Sequence, residues 1–183
     1  MEQDAATLAT LARELRYLRD RLDILDVING YCRALDRIDG DLLTDAFHAD
    51  VQDRQGPFLG DRAAFVPWAL GLMTEFTMTH HSLTTHNCEI DGDVAHAESY
   101  CVFFVTHRDG RMLGAGAARY IDRLERREGK WALARRVEVM DCGYEMPASG
   151  WLGSDWTGIE PRRDRSDLSY MRPLEVPVPG SAV

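Results

Sequence analysis

The stretch that decides the fold reads Tyr31-Cys32-Arg33-Ala34-Leu35-Asp36. Counting back from Asp36 in steps of four, four and three reaches Cys32, Ile28 and Leu25, so an apolar stripe at helical spacing ends in a carboxylate. A buried carboxylate is costly unless it has a partner. The spacing therefore makes Asp36 a candidate functional residue. The alternatives are a surface Asp near a helix end and a structural Asp that is bonded to the backbone.

Composition limits the possible functions. The chain has 183 residues, of which 45% are apolar and 28% are charged, as is typical of one soluble globular domain. Its formal charge of −9 argues against nucleic acid or an anionic membrane as a partner. No apolar run has the length of a membrane span, and the acidic N-terminus does not resemble a signal peptide. We expect a cytoplasmic protein whose four separated cysteines are reduced and mostly buried.

The first part of the chain has helical periodicity. Apolar residues recur every three or four positions within residues 5–38, which predicts one long helix or two in tandem. A stop at Gly40 is followed by a short predicted helix at 42–47 and a weak strand near 51–53. Asp61 is a plausible N-cap for a helix over 62–74, although Pro67 lies inside that span.

From Met78 the period changes to two. Four strands are predicted at 78–90, 94–107, 112–126 and 131–142, joined by three tight turns. Helices come first and strands later, so the fold class is α+β, with helices covering one face of a curved antiparallel sheet. We place the domain at residues 1–143. Residues 144–183 show no period and are predicted to form an irregular arm that packs on the domain or on a neighbouring subunit.

Thr79-His80-His81 is the second chemical stretch. Adjacent strand residues point to opposite faces, so only one of the two histidines can face the helices. We expect His81 on the concave face together with Thr85, where it could exchange a proton opposite Asp36. The alternative is a core histidine bonded to a backbone carbonyl. No spacing among the histidines resembles a metal-binding motif, so we predict no metal.

Arg136 is the third candidate. It shares one side of its strand with Ala132, Ala134 and Glu138, and the small alanines leave room for a cavity there. A guanidinium there could hold an oxyanion through its fixed fork of donors. The alternative is a salt bridge with Glu138 or with a carboxylate on the next strand.

Together these motifs resemble the SnoaL-like family. The family belongs to a cone-shaped α+β superfamily, the nuclear transport factor 2-like fold, which includes ketosteroid isomerase, scytalone dehydratase, bile-acid 7α-dehydratase and hexachlorocyclohexane dehydrochlorinase. The similarity covers residues 20–173. It rests on the order and spacing of Tyr31-xxxx-Asp36, Thr79-His80-His81, Glu89–Ala95, Ala118–Arg126 followed by Gly129-Lys130-Trp131, and Arg165–Pro173.

The resemblance implies a sheet wrapped around the long helix, with an apolar pocket inside the cone and chemistry that needs neither metal nor organic cofactor. It implies that Asp36 and His81 form an acid–base dyad and that Tyr31 and Arg136 contact the substrate. Many relatives have Asn four residues after the histidine, where this chain has Thr85. The resemblance therefore implies a different polar contact at that position of the pocket.

The sequence thus predicts a cofactor-independent lyase that acts on a hydrophobic aromatic or polycyclic small molecule. Dehydration is the first choice, and retro-aldol carbon–carbon cleavage would need the same groups. Three alternatives stay open: a non-catalytic ligand-binding protein, a ketosteroid-type isomerase, and the small subunit of a ring-hydroxylating dioxygenase. The resemblance also implies a homodimer or a homotrimer.

Overall fold

The computed structural model describes residues 2–148 and 158–177 and shows the predicted α+β fold. None of its helices combines the length and the hydrophobicity that crossing a membrane requires. The elements in chain order are α1 (Glu2–Arg37), α2 (Gly40–Asp45), β1 (Phe47–Gln55), β2 (Phe58–Gly60), α3 (Arg62–Met73), β3 (Phe76–Asp91), β4 (Val94–His107), β5 (Met112–Arg127), β6 (Lys130–Pro147) and a short 3-10 helix (Leu168–Tyr170).

The strands form one curved, open sheet in the order β2-β1-β6-β5-β4-β3. The predicted meander is confirmed, because β3 to β6 pair antiparallel in sequence. Strand β1 joins this meander by running parallel to β6, so the sheet as a whole is mixed. The weak strand expected near 51–53 is the longer β1, and its inward-facing Phe47, Val51 and Asp53 are all buried.

The core lies between the concave face of the sheet, the second half of α1 and α3. Ile24, Ile28, Tyr31, Cys32 and Leu35 of α1 are buried against it, at the helical spacing that the sequence shows. We call this body, from Asp20 to the end of β6, the cone. Cys88 and Cys101 are buried as well, whereas Cys142 is exposed, and all four cysteines are free thiols.

Helix α1 is continuous, but its first half does not face the core. Every residue from Gln3 to Arg19 is exposed, and Asp20 is the first that is buried. The leucines that open the periodic stripe therefore belong to a segment of α1 that extends beyond the cone. The apolar period predicts the helix correctly without showing which surface the helix covers.

The described part of the arm packs on the same chain. Arg163 donates to the backbone carbonyls of Met73 and Phe76 at 2.8 and 2.7 Å. The hydroxyl of Tyr170 donates to Asp39 at 2.9 Å. Strand β6 continues to Pro147, four residues past the predicted domain boundary at 143. The arm therefore holds the end of α1, α2 and the start of β3 together.

Candidate acid–base site

Asp36 and His81 are brought together where the last turn of α1 meets β3. The Nδ1 atom of His81 lies 2.7 Å from Oδ1 of Asp36, and the backbone N–H of His81 donates to Oδ2 at 3.0 Å. The hydroxyl of Thr79 donates to Oδ1 at 2.9 Å. Because an ionised carboxylate only accepts hydrogen bonds, Nδ1 carries the proton, and Nε2 is left as the basic nitrogen of the ring.

Arg163 supports this pair from the arm. Its guanidinium donates to the hydroxyl of Thr79 at 2.9 Å and to the backbone carbonyl of Asp36 at 3.2 Å. Thr79 therefore accepts from Arg163 while it donates to Asp36. Sequence reasoning missed Arg163, because the arm has no periodicity that would place it beside the cone.

A cavity of about 90 Å³ opens beside the ring of His81. This volume matches roughly three water molecules. Its polar lining consists of His81, Tyr31, Gln55, Tyr120 and Glu138, which come from α1, β1, β3, β5 and β6. Its apolar lining comes from α1 and α3: Leu35, Phe65, Trp68, Ala69, Leu72 and Met73.

Tyr31 belongs to a buried chain of hydrogen bonds. Its hydroxyl donates to Oε1 of Gln55 at 2.8 Å, and the amide nitrogen of Gln55 donates to Oδ2 of Asp53 at 3.0 Å. Burial raises the pKa of Tyr31 well above its usual value, so the phenol stays protonated. Burial also raises the pKa of Asp53 to about 6, although Arg136 and the Gln55 hydrogen bond oppose that shift. The predicted site residue Tyr31 thus lines the cavity with its hydroxyl already engaged.

Arg136 lies behind the cavity wall. Its Nε and Nη2 atoms each donate to a carboxylate oxygen of Asp122 on β5 at 2.7 Å, and the residue is 1% exposed. The guanidinium carbon lies 4.2 Å from the ring centroid of Tyr31 and 4.3 Å from that of Tyr120. The salt bridge to the next strand, one of the two sequence interpretations, is present. Arg136 supports the two tyrosines from the rear.

Thr85 is not brought to the cavity. The register between β3 and β4 shifts between Leu83 and Thr85, so Thr85 pairs with Tyr100 and is exposed. The prediction that Thr85 shares the face of His81 is therefore wrong. A strand bulge reverses the alternation of side chains, and strict period-two counting does not foresee it. After the bulge, His86 lies on the inner face of the strand instead. Its Nδ1 atom lies 2.9 Å from the hydroxyl of Ser99.

Glu138 is a cavity residue that the sequence interpretation did not select. Its pKa is raised because burial disfavours the charged carboxylate, and the electrostatic effects of Arg136 and His81 only partly offset this rise. The sequence contained a signal for Glu138, because this residue shares the inner face of β6 with Arg136. Glu138 was considered only as a salt-bridge partner of Arg136, but Asp122 takes that place.

A larger apolar cavity lies farther along the concave face. Its volume is about 340 Å³, and Phe76, Phe103, Val105 and Met140 are among its lining residues. The ring of Phe103 also packs against His81, with ring centroids 6.0 Å apart. Phe103 therefore lines the wider apolar cavity and also contacts the histidine that lines the small polar one. Within residues 2–148 and 158–177, no group of three His, Cys, Asp or Glu side chains is placed to hold a metal ion.

Comparison with solved structures identifies the fold. A candidate scytalone dehydratase from Novosphingobium aromaticivorans is 21% identical, covers 70% of this chain and 88% of its own, and has a TM-score of 0.66. The structure described as LinA is 20% identical, with coverages of 75% and 95% and a TM-score of 0.68. The hexachlorocyclohexane dehydrochlorinase LinA-type3 from Novosphingobium barchaimii has the same identity and coverages and a TM-score of 0.63.

Sequence comparison gives the family. Among curated proteins, none matches this chain significantly. The profile of the SnoaL-like domain matches residues 16–137, which is more than half of the chain and includes both Asp36 and His81. The chain therefore belongs to the SnoaL-like domain family.

Proposed function

We propose that this protein is a cofactor-independent lyase that removes water, or another small leaving group, from a hydrophobic small molecule. The observation that carries the proposal is the placement of His81. Asp36 holds its Nδ1 atom at 2.7 Å, while the ring lines a cavity that also contains Tyr31 and Glu138. A histidine oriented by a carboxylate is suited to take up a proton.

The tautomer of His81 determines which ring nitrogen acts as the base. Nε2 of His81 takes a proton from the carbon next to the one that bears the leaving group. The electron pair of that C–H bond becomes the new double bond, and the leaving group departs with the electrons of its own bond. Asp36 stabilises the imidazolium that forms. A positioned base of this kind contributes ~10²–10⁴-fold to the rate.

The departing group needs a proton as well. Glu138 lines the same cavity, and its raised pKa keeps the carboxylic acid populated to higher pH than for a solvated Glu. Glu138 therefore donates a proton to the leaving oxygen, so that water departs in place of hydroxide. Tyr31 lines the same cavity, with its hydroxyl donating to Gln55. After release, His81 returns its proton to solvent and Glu138 is reprotonated.

Two observations support a hydrophobic substrate that undergoes elimination. The apolar cavity beyond Phe103 gives room for the body of such a molecule, while the polar cavity takes the reacting end. The names of the structural neighbours denote eliminations, because a dehydratase removes water and a dehydrochlorinase removes hydrogen chloride. Retro-aldol cleavage would use the same base on a hydroxyl proton.

The test is a turnover screen with a matched pair of variants. Purified protein is incubated with aryl, β-hydroxycarbonyl and steroidal alcohols, and products lighter by one water or one small aldehyde are sought by mass spectrometry. We expect His81→Ala to abolish turnover and His80→Ala, at the exposed neighbouring position, to retain it. Equal turnover by both variants, with both folded by circular dichroism, would contradict the proposal.

A non-catalytic ligand-binding protein is the second candidate. The observation that favours it is the extent to which the buried polar groups satisfy one another: Asp36 accepts three hydrogen bonds, and Tyr31 is bonded to Gln55. Saturable binding of a panel compound, with no product in any incubation and no pH dependence of binding near neutrality, would support this candidate over the lyase.

A further inference from the structure

The exposed part of α1 is unusual for a helix on a globular domain. Residues Gln3 to Arg19 are helical and every one of them is exposed. Isolated helices of this length are marginal in water, and most helical stability in proteins comes from packing an apolar face against a partner. Within the residues that the structure describes, none buries that face.

The apolar face has the spacing of a coiled coil. Leu8, Leu11, Leu15, Leu18, Leu22 and Leu25 alternate steps of three and four without interruption, which fills the a and d positions of three heptads. Leu8, Leu15 and Leu22 are 62–66% exposed, and Leu11 and Leu18 are 49% and 56% exposed. The next a position is Asn29, so the apolar face ends there. We call the six leucines the leucine seam.

The seam points away from the cone. Asp20 and Ile24, the buried residues of this part of α1, are two positions before and after Leu22. Two residues correspond to a rotation of about 200° around a helix, so Leu22 lies on the side opposite to both. A second helix can therefore lie along the seam from Leu8 to Leu22 without meeting the cone, and the two cones would stand on the outside of the paired helices. Leu25, at the end of the seam, is already partly buried.

The charges beside the seam fit a second copy of the same chain. With leucines at a and d, Glu14 and Arg21 occupy g positions, and Arg19 and Asp26 occupy e positions. In a parallel pair each g residue faces the e residue five positions later in its partner. Glu14 then faces Arg19 and Arg21 faces Asp26, which gives four contacts of opposite charge in a two-fold symmetric pair. In an antiparallel pair g faces g, and only Glu14 and Arg21 match.

We propose that two copies of this chain associate through a parallel coiled coil of α1 that is built on the leucine seam. The contact of Arg21 with Asp26 contributes less to this pair than the contact of Glu14 with Arg19, because the guanidinium of Arg21 already donates to the backbone carbonyl of Cys88 at 3.0 Å. Glu14 and Arg19 have no such bond to the cone among the described contacts, so they set the orientation.

Mass measurement in solution tests the association. Sedimentation equilibrium of the full chain is expected to give a dimer, and Leu11→Asp is expected to give a monomer with the cone still folded. Ala9→Asp is the control, because it adds the same charge one position outside the seam. A monomeric wild-type protein, or a Leu11→Asp variant that remains dimeric, would overturn the proposal.

Charge exchange tests the orientation. Glu14→Arg is expected to weaken the dimer, and adding Arg19→Glu is expected to restore the dissociation constant to within a few-fold. Adding Arg21→Glu to Glu14→Arg is expected to weaken the dimer further. Rescue by Arg21→Glu, and not by Arg19→Glu, would show an antiparallel pair and overturn the proposal.

Cross-linking gives an independent check of orientation. In a parallel pair Leu11 of one chain lies beside Leu11 of the other, within reach of a disulfide. Leu11→Cys in a Cys142→Ala background is expected to form a covalent dimer under mild oxidation, because Cys142 is the exposed native thiol. Ala9→Cys in the same background is the control. Equal cross-linking at both positions would contradict a specific seam.

Discussion

The carboxylate of Asp36 binds both the ring and the backbone of His81, with Nδ1 at 2.7 Å from one oxygen and the amide nitrogen at 3.0 Å from the other. These two contacts join the C-terminal end of α1 to β3 across 45 positions of sequence. The backbone contact fixes the strand relative to the carboxylate, and the ring contact fixes the tautomer. The orientation of His81 is thus built into the packing of helix against sheet.

Glu138→Gln is expected to lower kcat by about 10²-fold, because the amide keeps the shape of the side chain but cannot transfer a proton. The rate of wild-type protein should fall as pH rises through the raised pKa of Glu138, since the acid form is then lost. The variant should lack this alkaline limb. The check is the pH profile of kcat, with Glu89→Gln, at an exposed position of β3, as control. An unchanged profile in Glu138→Gln would rule out its role as the acid.

Arg136→Met is expected to destabilise the protein by about 3–5 kcal/mol, because it leaves Asp122 buried without its partner. The double variant Arg136→Met with Asp122→Leu should recover most of that free energy of unfolding, since Asp122 no longer leaves a charge buried without its partner. Urea denaturation measures both. Arg119→Met, in an exposed ion-pair network, should cause only a small change. A double variant as unstable as the single one would contradict this account of the pair.

Arg163→Ala is expected to lower kcat with little change in KM, because Arg163 does not line the cavity but holds Thr79 and the backbone of Asp36. The loss of its bonds to the carbonyls of Met73 and Phe76 should also cost about 1–3 kcal/mol of stability for the acceptors left unsatisfied. Arg172→Ala is the control, since that side chain is exposed and, among the described residues, its hydrogen bond goes to the carbonyl of its neighbour Met171. A rise in KM at constant kcat would point to a role in substrate binding.

Asp53→Asn is expected to stabilise the protein relative to wild type as pH rises from about 4 to 7. Burial raises the pKa of Asp53 from 3.8 to about 6, so the folded chain keeps a proton that the unfolded chain has lost. Wild-type stability therefore falls with rising pH over this interval, by about 1.4 kcal/mol for each unit of pKa difference. Asn has no proton to lose.

The check is the difference in unfolding free energy between variant and wild type across this pH range. Asp50→Asn is the control of opposite sign, because Arg127 holds the pKa of the exposed Asp50 below its usual value. That ion pair stabilises the folded state at higher pH, so its loss should destabilise the variant as pH rises. If the difference in unfolding free energy between Asp53→Asn and wild type did not change with pH, this would contradict the raised pKa of Asp53.

Local periodicity accounts for what the sequence predicts well. Period-two runs and tight turns predict the four-strand meander, and helical spacing places Asp36 on the buried face of α1. The partnership of Asp36 with His81 was reached by combining that spacing with a family resemblance. Contacts without a local pattern were not foreseen: Arg163 comes from an aperiodic arm, and the parallel pairing of β1 with β6 joins distant segments.

The outward position of Thr85 and the exposure of the first half of α1 have specific physical causes. The bulge after Leu83 turns Thr85 outward, because one extra residue reverses every later side chain in the strand. The leucine stripe of α1 predicts a long helix, but only the part from Asp20 onward meets the sheet. An apolar period indicates that one face of the helix packs against another surface. It does not show whether that surface belongs to the same chain or to another chain.

The central claim, that His81 acts as a base because Asp36 holds it, is tested most directly by comparing turnover of Asp36→Asn with that of Asp41→Asn. Asp41 is an exposed carboxylate in the first turn of α2, so its variant controls for the loss of one charge. We predict that Asp36→Asn lowers kcat by ~10²-fold or more with the fold intact, since an amide can donate to Nδ1 and shift the ring proton to Nε2. Equal kcat values for the two variants would contradict the account.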